Sequence, residues 1–218
     1  MRQMSGFSVR HPDCLASRFK DDSAFSLVEF LIASFVILLI SAAVFNMLVE
    51  SQRTASYQTE VQAVLDNSRL AMETVERHLR QAGNDPYKTG IIGISIAGAD
   101  EITLKSDLTG SAGTSDPDKG DPDGDISDAA EDVTIRYNAA SRSIEIVPAG
   151  GSAQTIAVYI TAFSMRYFDG NGVETTAGAS VRRVNVTVSG ASTIPNPQTE
   201  QVFGVTLTSD VQIATRQY

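Results

Sequence analysis

Residues 30–49 read FLIASFVILLISAAVFNMLV, twenty positions with no charge and only Ser34, Ser41 and Asn46 polar. A helix rises 1.5 Å per residue, so such a run spans about 30 Å, the hydrocarbon thickness of a bilayer. A cleaved secretory signal has an apolar region of roughly 7–15 residues with a small-residue cleavage site beyond it. Here the run is longer, and Val49-Glu50-Ser51-Gln52-Arg53 is a poor cleavage sequence. The run therefore predicts a membrane-spanning helix, in preference to a buried core helix or a cleaved signal. Upstream lie Arg2, Arg10, Arg18 and Lys20 against Asp13, Asp21 and Asp22, whereas only Arg53 follows closely. By the positive-inside tendency the N-terminus stays cytoplasmic and the remainder is exported.

Glu29 stands one residue ahead of this run, between Phe25-Ser26-Leu27-Val28 and Phe30. A carboxylate at the edge of a membrane helix is costly unless it is solvated or paired. Two readings stay open: an interfacial glutamate that reaches headgroup water, or one that meets a cation.

The stretch Ala24-Phe25-Ser26-Leu27-Val28-Glu29-Phe30-Leu31-Ile32-Ala33 resembles the type III signal of type IV prepilins and of type II secretion pseudopilins. In that family a small residue, normally glycine, precedes a phenylalanine, and glutamate is the fifth residue of the mature chain. The resemblance implies that a prepilin peptidase cuts between Ala24 and Phe25 and that the new amino terminus on Phe25 is methylated. It also implies that Glu29 docks on the N-terminal amine of a neighbouring subunit as helices bundle. An opposite charge offsets the cost of a carboxylate in hydrocarbon. Ala24 in place of glycine departs from the pattern.

Beyond Val49 there is no proline or glycine until Gly83. Apolar residues recur at Val61, Val64/Leu65, Met72, Val75, Leu79 and Ala82, with small Ser68 and Ala71 between them. That spacing predicts an amphipathic helix with one buried stripe. Glu73–Arg77 and Glu76–Arg80 are acid-before-base pairs at i,i+4 on its exposed face. Gly83-Asn84-Asp85-Pro86 supplies the stop. One helix from Phe25 to Ala82 would be roughly 85 Å long. The segment Arg77-His78-Leu79-Arg80-Gln81-Ala82-Gly83-Asn84 is similar to the "I-x-x-x-L-R-x-A-G-[YN]" region of PilW-like minor pilins, and J-type pseudopilins share the layout. Major pilins often carry a proline in the apolar run and a C-terminal disulfide. Here the run has no proline, and the one cysteine, Cys14, lies in the expected leader, so the resemblance favours a minor pilin.

After Pro86 the periodicity turns strand-like, with candidate strands at 91–97, 101–105, 132–137, 143–147, 155–168, 181–189 and 202–215. Val184-Asn185-Val186-Thr187-Val188 alternates as a half-buried antiparallel strand does. Asp169-Gly170-Asn171-Gly172 reads as a turn and Ile194-Pro195-Asn196-Pro197 as a loop. The expected fold is α+β and pilin-like: a long N-terminal helix, its first half membrane-spanning, packed on an antiparallel β-sheet domain. The expected organisation is a cytoplasmic leader at 1–24, a membrane or filament-core helix at 25–49, its amphipathic continuation at 50–83 and an exported β-rich domain at 84–218.

Residues 116–132 read DPDKGDPDGDISDAAED, eight acids and one lysine, a local −7 out of −9 for the whole chain. A charge run is commonly a solvated loop. The alternative is calcium, with Asp121, Asp123, Asp125 and Asp132 at positions 1, 3, 5 and 12 of an EF-hand-like loop. Gly124 falls at position 4 rather than 6, Asp128 stands where an apolar residue is usual, and no flanking helix pair is evident. A Ca²⁺ loop outside the EF-hand class is therefore the form this reading takes.

The chain's pI near 4.7 argues against a nucleic-acid partner. His11 and His78 are the two histidines, and no Ser-His-Asp set, zinc spacing or phosphate loop is present, so no enzymatic activity is expected. The resemblance implies a minor pilin entering the initiating or tip complex of a type IV pilus. Its partners would be the prepilin peptidase, other minor and major pilins, the inner membrane and the pilus assembly platform. A J-type pseudopilin of type II secretion is the nearest alternative. A single-pass, calcium-binding surface adhesin or sensor is the alternative from another class.

Overall fold

A computed structural model of the chain describes residues 26–110, 120–128 and 130–213. The chain divides at Val49 into two units, the second beginning at Glu50. A single helix, α1 (Leu27–Gln81, 55 residues), supplies the described part of the first unit and the opening of the second. Its start follows from Ser26-Leu27-Val28-Glu29, the Ser-x-x-Glu spacing of a capping box. The Glu29 carboxylate accepts the backbone N–H of Ser26 at 3.0 Å, satisfying a donor that helix geometry leaves free.

In the first unit the apolar side chains of α1 stay exposed: Phe30 keeps 70% of its surface and Leu38 67%. Among the described residues this is the one helix long and apolar enough to cross a membrane. Ser34 hides its hydroxyl on the Phe30 carbonyl at 2.8 Å, the arrangement that makes a serine tolerable in hydrocarbon.

In the second unit α1 buries Glu60, Val64, Ser68, Ala71, Met72, Val75 and Leu79, one stripe at steps of three and four. The expected stripe began at Val61 and included Leu65. The observed one keeps Val64, Ser68, Ala71, Met72, Val75, Leu79 and Ala82 and differs at its start, where Glu60 is buried and Val61, like Leu65, is half-buried. At Ser68 the helix closely approaches the sheet, since a Cβ built on Gly190 would sit 2.5 Å from its Oγ. Gly83, with φ +76, ends the helix, and its N–H donates to the Lys105 carbonyl at 2.9 Å.

Two antiparallel sheets follow. The first runs β1 (Ile94–Ala97), β2 (Glu101–Lys105), β3 (Asp132–Asn138), β4 (Ser143–Pro148) and β5 (Gln154–Ala157), paired in chain order. The second is β6 (Ile160–Phe168), β7 (Arg183–Pro195) and β8 (Val202–Gln212). Leu79 and Val75 of α1 share one core with Ile102, Ile135 and Ile144 of the first sheet and Val184, Val186 and Val188 of the second. The class is thus α+β, as the change of periodicity predicts.

Three expectations are corrected. The single strand at 155–168 is two strands, because Tyr159 takes a left-handed φ of +65 and the chain crosses from one sheet to the other. The first strand begins at Ile94 rather than residue 91, because Thr89, Gly90 and Ile91 give their N–H groups to the Asp85 carboxylate. The loop at Ile194-Pro195 is instead the end of β7, where Pro195 stands opposite Val202. The Asp169 turn forms as expected, its carboxylate accepting the N–H groups of Asn171 and Val173, each at 2.8 Å.

Candidate functional site

Two places concentrate the chemistry expected from the sequence: the head of α1 and the acidic loop between β2 and β3. Ala24 and Phe25 lie outside the described residues. Glu29 occupies the first turn of α1 and is exposed. A carboxylate there meets the positive end of the helix dipole, and with Oε2 on Ser26 it retains lone pairs for a second donor.

The four aspartates of the EF-hand-like reading do not converge. Asp121, Asp123 and Asp125 are exposed. Asp123 Oδ1 accepts the N–H of Asp125 at 3.2 Å, and Asp125 Oδ1 accepts that of Ser127 at 2.8 Å, so both fold the loop locally. Asp132 opens β3 and pairs with Lys105 of β2 at 3.3 Å. Among the described residues no group of three or more His, Cys, Asp or Glu is placed to hold a metal ion.

The structure assembles a different set of acids. Asp107 and Glu131 are both fully buried, at 0% exposure. Glu131 Oε1 accepts the N–H groups of Leu108 and Thr109, each at 2.8 Å, and its Oε2 accepts that of Asp128 at 3.2 Å. It thereby ties the segment after β2 to the segment before β3. Asp107 Oδ2 accepts the Gly124 N–H at 2.9 Å, which fastens the middle of the loop to the same point. Asn84, just past α1, brackets Asp107 by giving its side-chain amide to the Asp107 carbonyl and taking the Asp107 N–H.

Burial pushes the Asp107 carboxyl above its ordinary value, and the charges of Glu131 and Asp123 push further against hydrogen bonds from Gly124 and Asp123. Asp128 is raised as well, by desolvation and then by Asp123, Glu131, Asp125 and Asp107. Loss of solvent and like charge both disfavour the ionised form. Sequence reasoning passed over Asp107 because it stands outside the acidic run. Glu131 lies within that run but outside the EF-hand-like spacing.

A third acid, Glu60, is buried where α1 meets β7. Its Oε1 accepts both the N–H and the hydroxyl of Thr193, and Oε2 accepts the Ile194 N–H at 3.1 Å. Those two N–H groups sit where the β7–β8 register is broken between Ala191 and Pro195, so the glutamate replaces the missing ladder. Burial works against the charge, but the bonds from Thr193 and Ile194 outweigh it and hold the carboxyl below its usual range. His78 is half-buried near the end of α1, and burial, then Arg77, lower its affinity for a proton.

The chain matches no known protein-family model, and no curated protein matches its sequence.

Proposed function

We propose that this chain is a minor pilin of the PilW-like kind. It would be cut between Ala24 and Phe25, methylated on Phe25 and drawn into the initiating or tip complex of a type IV pilus by bundling of α1. One observation carries the reading: α1 presents an apolar surface that the chain itself leaves uncovered, headed by Glu29, while its later half is built into an α+β domain. A membrane covers such a surface in one state and neighbouring helices cover it in another. The exposed carboxylate in the first turn is where a neighbour's amino group would dock. The N-terminus would lie in the cytoplasm, with the β-rich domain in the periplasm and later at the cell surface.

The test is the intact mass of the full-length product extracted from membranes. Removal of residues 1–24 with one methyl group on Phe25 is expected, and any other mature N-terminus removes the reading. A J-type pseudopilin shares these features, and cross-linking to pilus or to secretion-system prepilins separates the two.

A further inference from the structure

We propose that Asp107 and Asp128 form a binding site for a hard divalent cation of calcium's kind, a site separate from the linear Asp121-Asp123-Asp125 motif. Two buried carboxylate oxygens carry it. Asp107 is 0% exposed and its Oδ1 has no hydrogen-bond partner, while the buried Oδ2 of Asp128 has none either. A carboxylate only accepts, so an oxygen sealed from water with no donor calls for a cation or a proton. Among the described residues neither aspartate is in a salt bridge.

The neighbouring acid is already committed. Both oxygens of Glu131 accept N–H groups, from Leu108, Thr109 and Asp128, so its role is to hold the two aspartates' segments together rather than to ligate. The other oxygen of Asp107 takes the Gly124 N–H, which fixes the carboxylate against the acidic loop while Oδ1 stays buried without a donor. The like charges of Glu131 and Asp123 around Asp107, and of Asp107 around Asp128, are relieved together by one doubly charged ion.

Ca²⁺ accepts about six to eight oxygens in flexible geometry, including backbone carbonyls and water, whereas Mg²⁺ demands a stricter octahedron. Two carboxylates on an irregular loop suit the former. With no third carboxylate converging, carbonyls and water complete the shell, and the affinity falls in the weak class of about 10⁻⁴–10⁻³ M.

The experiment uses the full chain in detergent micelles, stripped with chelator, and follows its thermal midpoint as CaCl₂ is added. The expected result is a saturable upward shift, half complete at about 10⁻⁴–10⁻³ M, since a ligand of the folded state alone stabilises by mass action. The shift should persist in Asp121→Asn, vanish in Asp128→Asn and not appear with NaCl of equal ionic strength. No shift in the unmodified chain, or one that NaCl reproduces, overturns the site. So does a shift lost in Asp121→Asn but kept in Asp128→Asn, which returns the ion to the linear motif.

Terbium gives a readout that does not depend on the Asp128 variant folding. A Cβ on Gly124 would lie 3.5 Å from Tyr87 Cβ, so this ring stands beside the site in a chain with no tryptophan. Tb³⁺ emission sensitised through tyrosine should be displaced by Ca²⁺ and be lost in Tyr87→Phe, with the Ca²⁺ midpoint shift unchanged. Emission that Ca²⁺ leaves untouched, or that survives in Tyr87→Phe, counts against the assignment.

Discussion

Glu60 of α1 and Thr193 of β7, 133 residues apart, are joined twice, the carboxylate Oε1 taking both the backbone N–H and the hydroxyl. A buried ionised acid is tolerated here because three donors, two N–H groups and a hydroxyl, converge on its carboxylate. Helix and sheet thus depend on one side chain at the point where the sheet's own ladder fails.

Removing that side chain should be far costlier than an ordinary glutamate substitution on a helix. Glu60→Ala takes the acceptor from the N–H groups of Thr193 and Ile194 and from the Thr193 hydroxyl, on a segment of β7 that is itself partly open to water. The expected loss is about 1–3 kcal/mol, measured by denaturant unfolding of the full chain in detergent. Glu60→Gln keeps one acceptor oxygen and should cost about half as much. An alanine variant within roughly 0.5 kcal/mol of the parent, the range of a neutral surface change, would show that water replaces the carboxylate.

The same carboxylate sets an acid limb. Its ordinary value is 4.5, and Thr193 and Ile194 outweigh burial to lower it in the folded state. As pH falls the unfolded chain therefore takes up the proton first. The stabilisation is complete above the unfolded value and is lost as pH drops through the lower folded one. Asp85 behaves alike, because N–H groups of Thr89, Gly90 and Ile91 overcome desolvation and lower it from 3.8. The thermal midpoint should thus fall progressively below about pH 5, and Glu60→Gln should flatten that fall. An equally steep limb in Glu60→Gln would assign the acid sensitivity elsewhere.

Gly190 is the second point at which α1 meets β7. A methyl group there would approach Ser68 Oγ at 2.5 Å and Val64 Cγ1 at 3.1 Å, and Tyr159 O at 3.3 Å. Gly190→Ala is expected to destabilise by about 1–3 kcal/mol through overpacking. Ser68 Oγ is itself buried without a hydrogen-bond partner, so Ser68→Ala should be neutral or slightly stabilising. Combining Gly190→Ala with Ser68→Gly opens the space and should recover part of the loss. Additivity of the two changes in a double-mutant cycle would mean that the residues do not share that space.

What could be read in advance follows from which signals are local. The apolar run, the 3.6-residue stripe and the boundaries of β2, β3 and β4 depend on side chains near in sequence, and those expectations hold within a residue. The break at Tyr159 has no compositional mark, because a left-handed tyrosine between two apolar strands reads as continuous strand. Glu60 looks like one more exposed helix acid until β7 arrives with its unpaired N–H groups. Asp107 and Glu131 lie 24 positions apart around the acidic loop, and only the β2–β3 pairing brings them together. Charge density is highest around Asp121, Asp123 and Asp125, yet among the described residues the acids with buried oxygens lacking a partner are Asp107 and Asp128.

Glu29 has one role in the helix start and a second, docking, in the proposed function, and a single substitution would confuse them. Its carboxylate accepts the Ser26 N–H at 3.0 Å, which starts α1, and the proposed docking on a neighbour's amine uses its charge. Glu29→Gln separates them, since an amide oxygen still accepts from Ser26 but offers no negative charge. The variant should keep its membrane insertion and its amide protection over the first turn, while incorporation into filaments drops at least tenfold, about 1.4 kcal/mol of docking free energy. Glu29→Ala should lose both, with a cost to the first turn of about 0.5–1 kcal/mol, the size of a lost cap. The measurement is the fraction of variant subunits recovered in sheared filaments, beside hydrogen exchange of residues 27–31. Normal incorporation of Glu29→Gln would leave the glutamate as a helix cap alone.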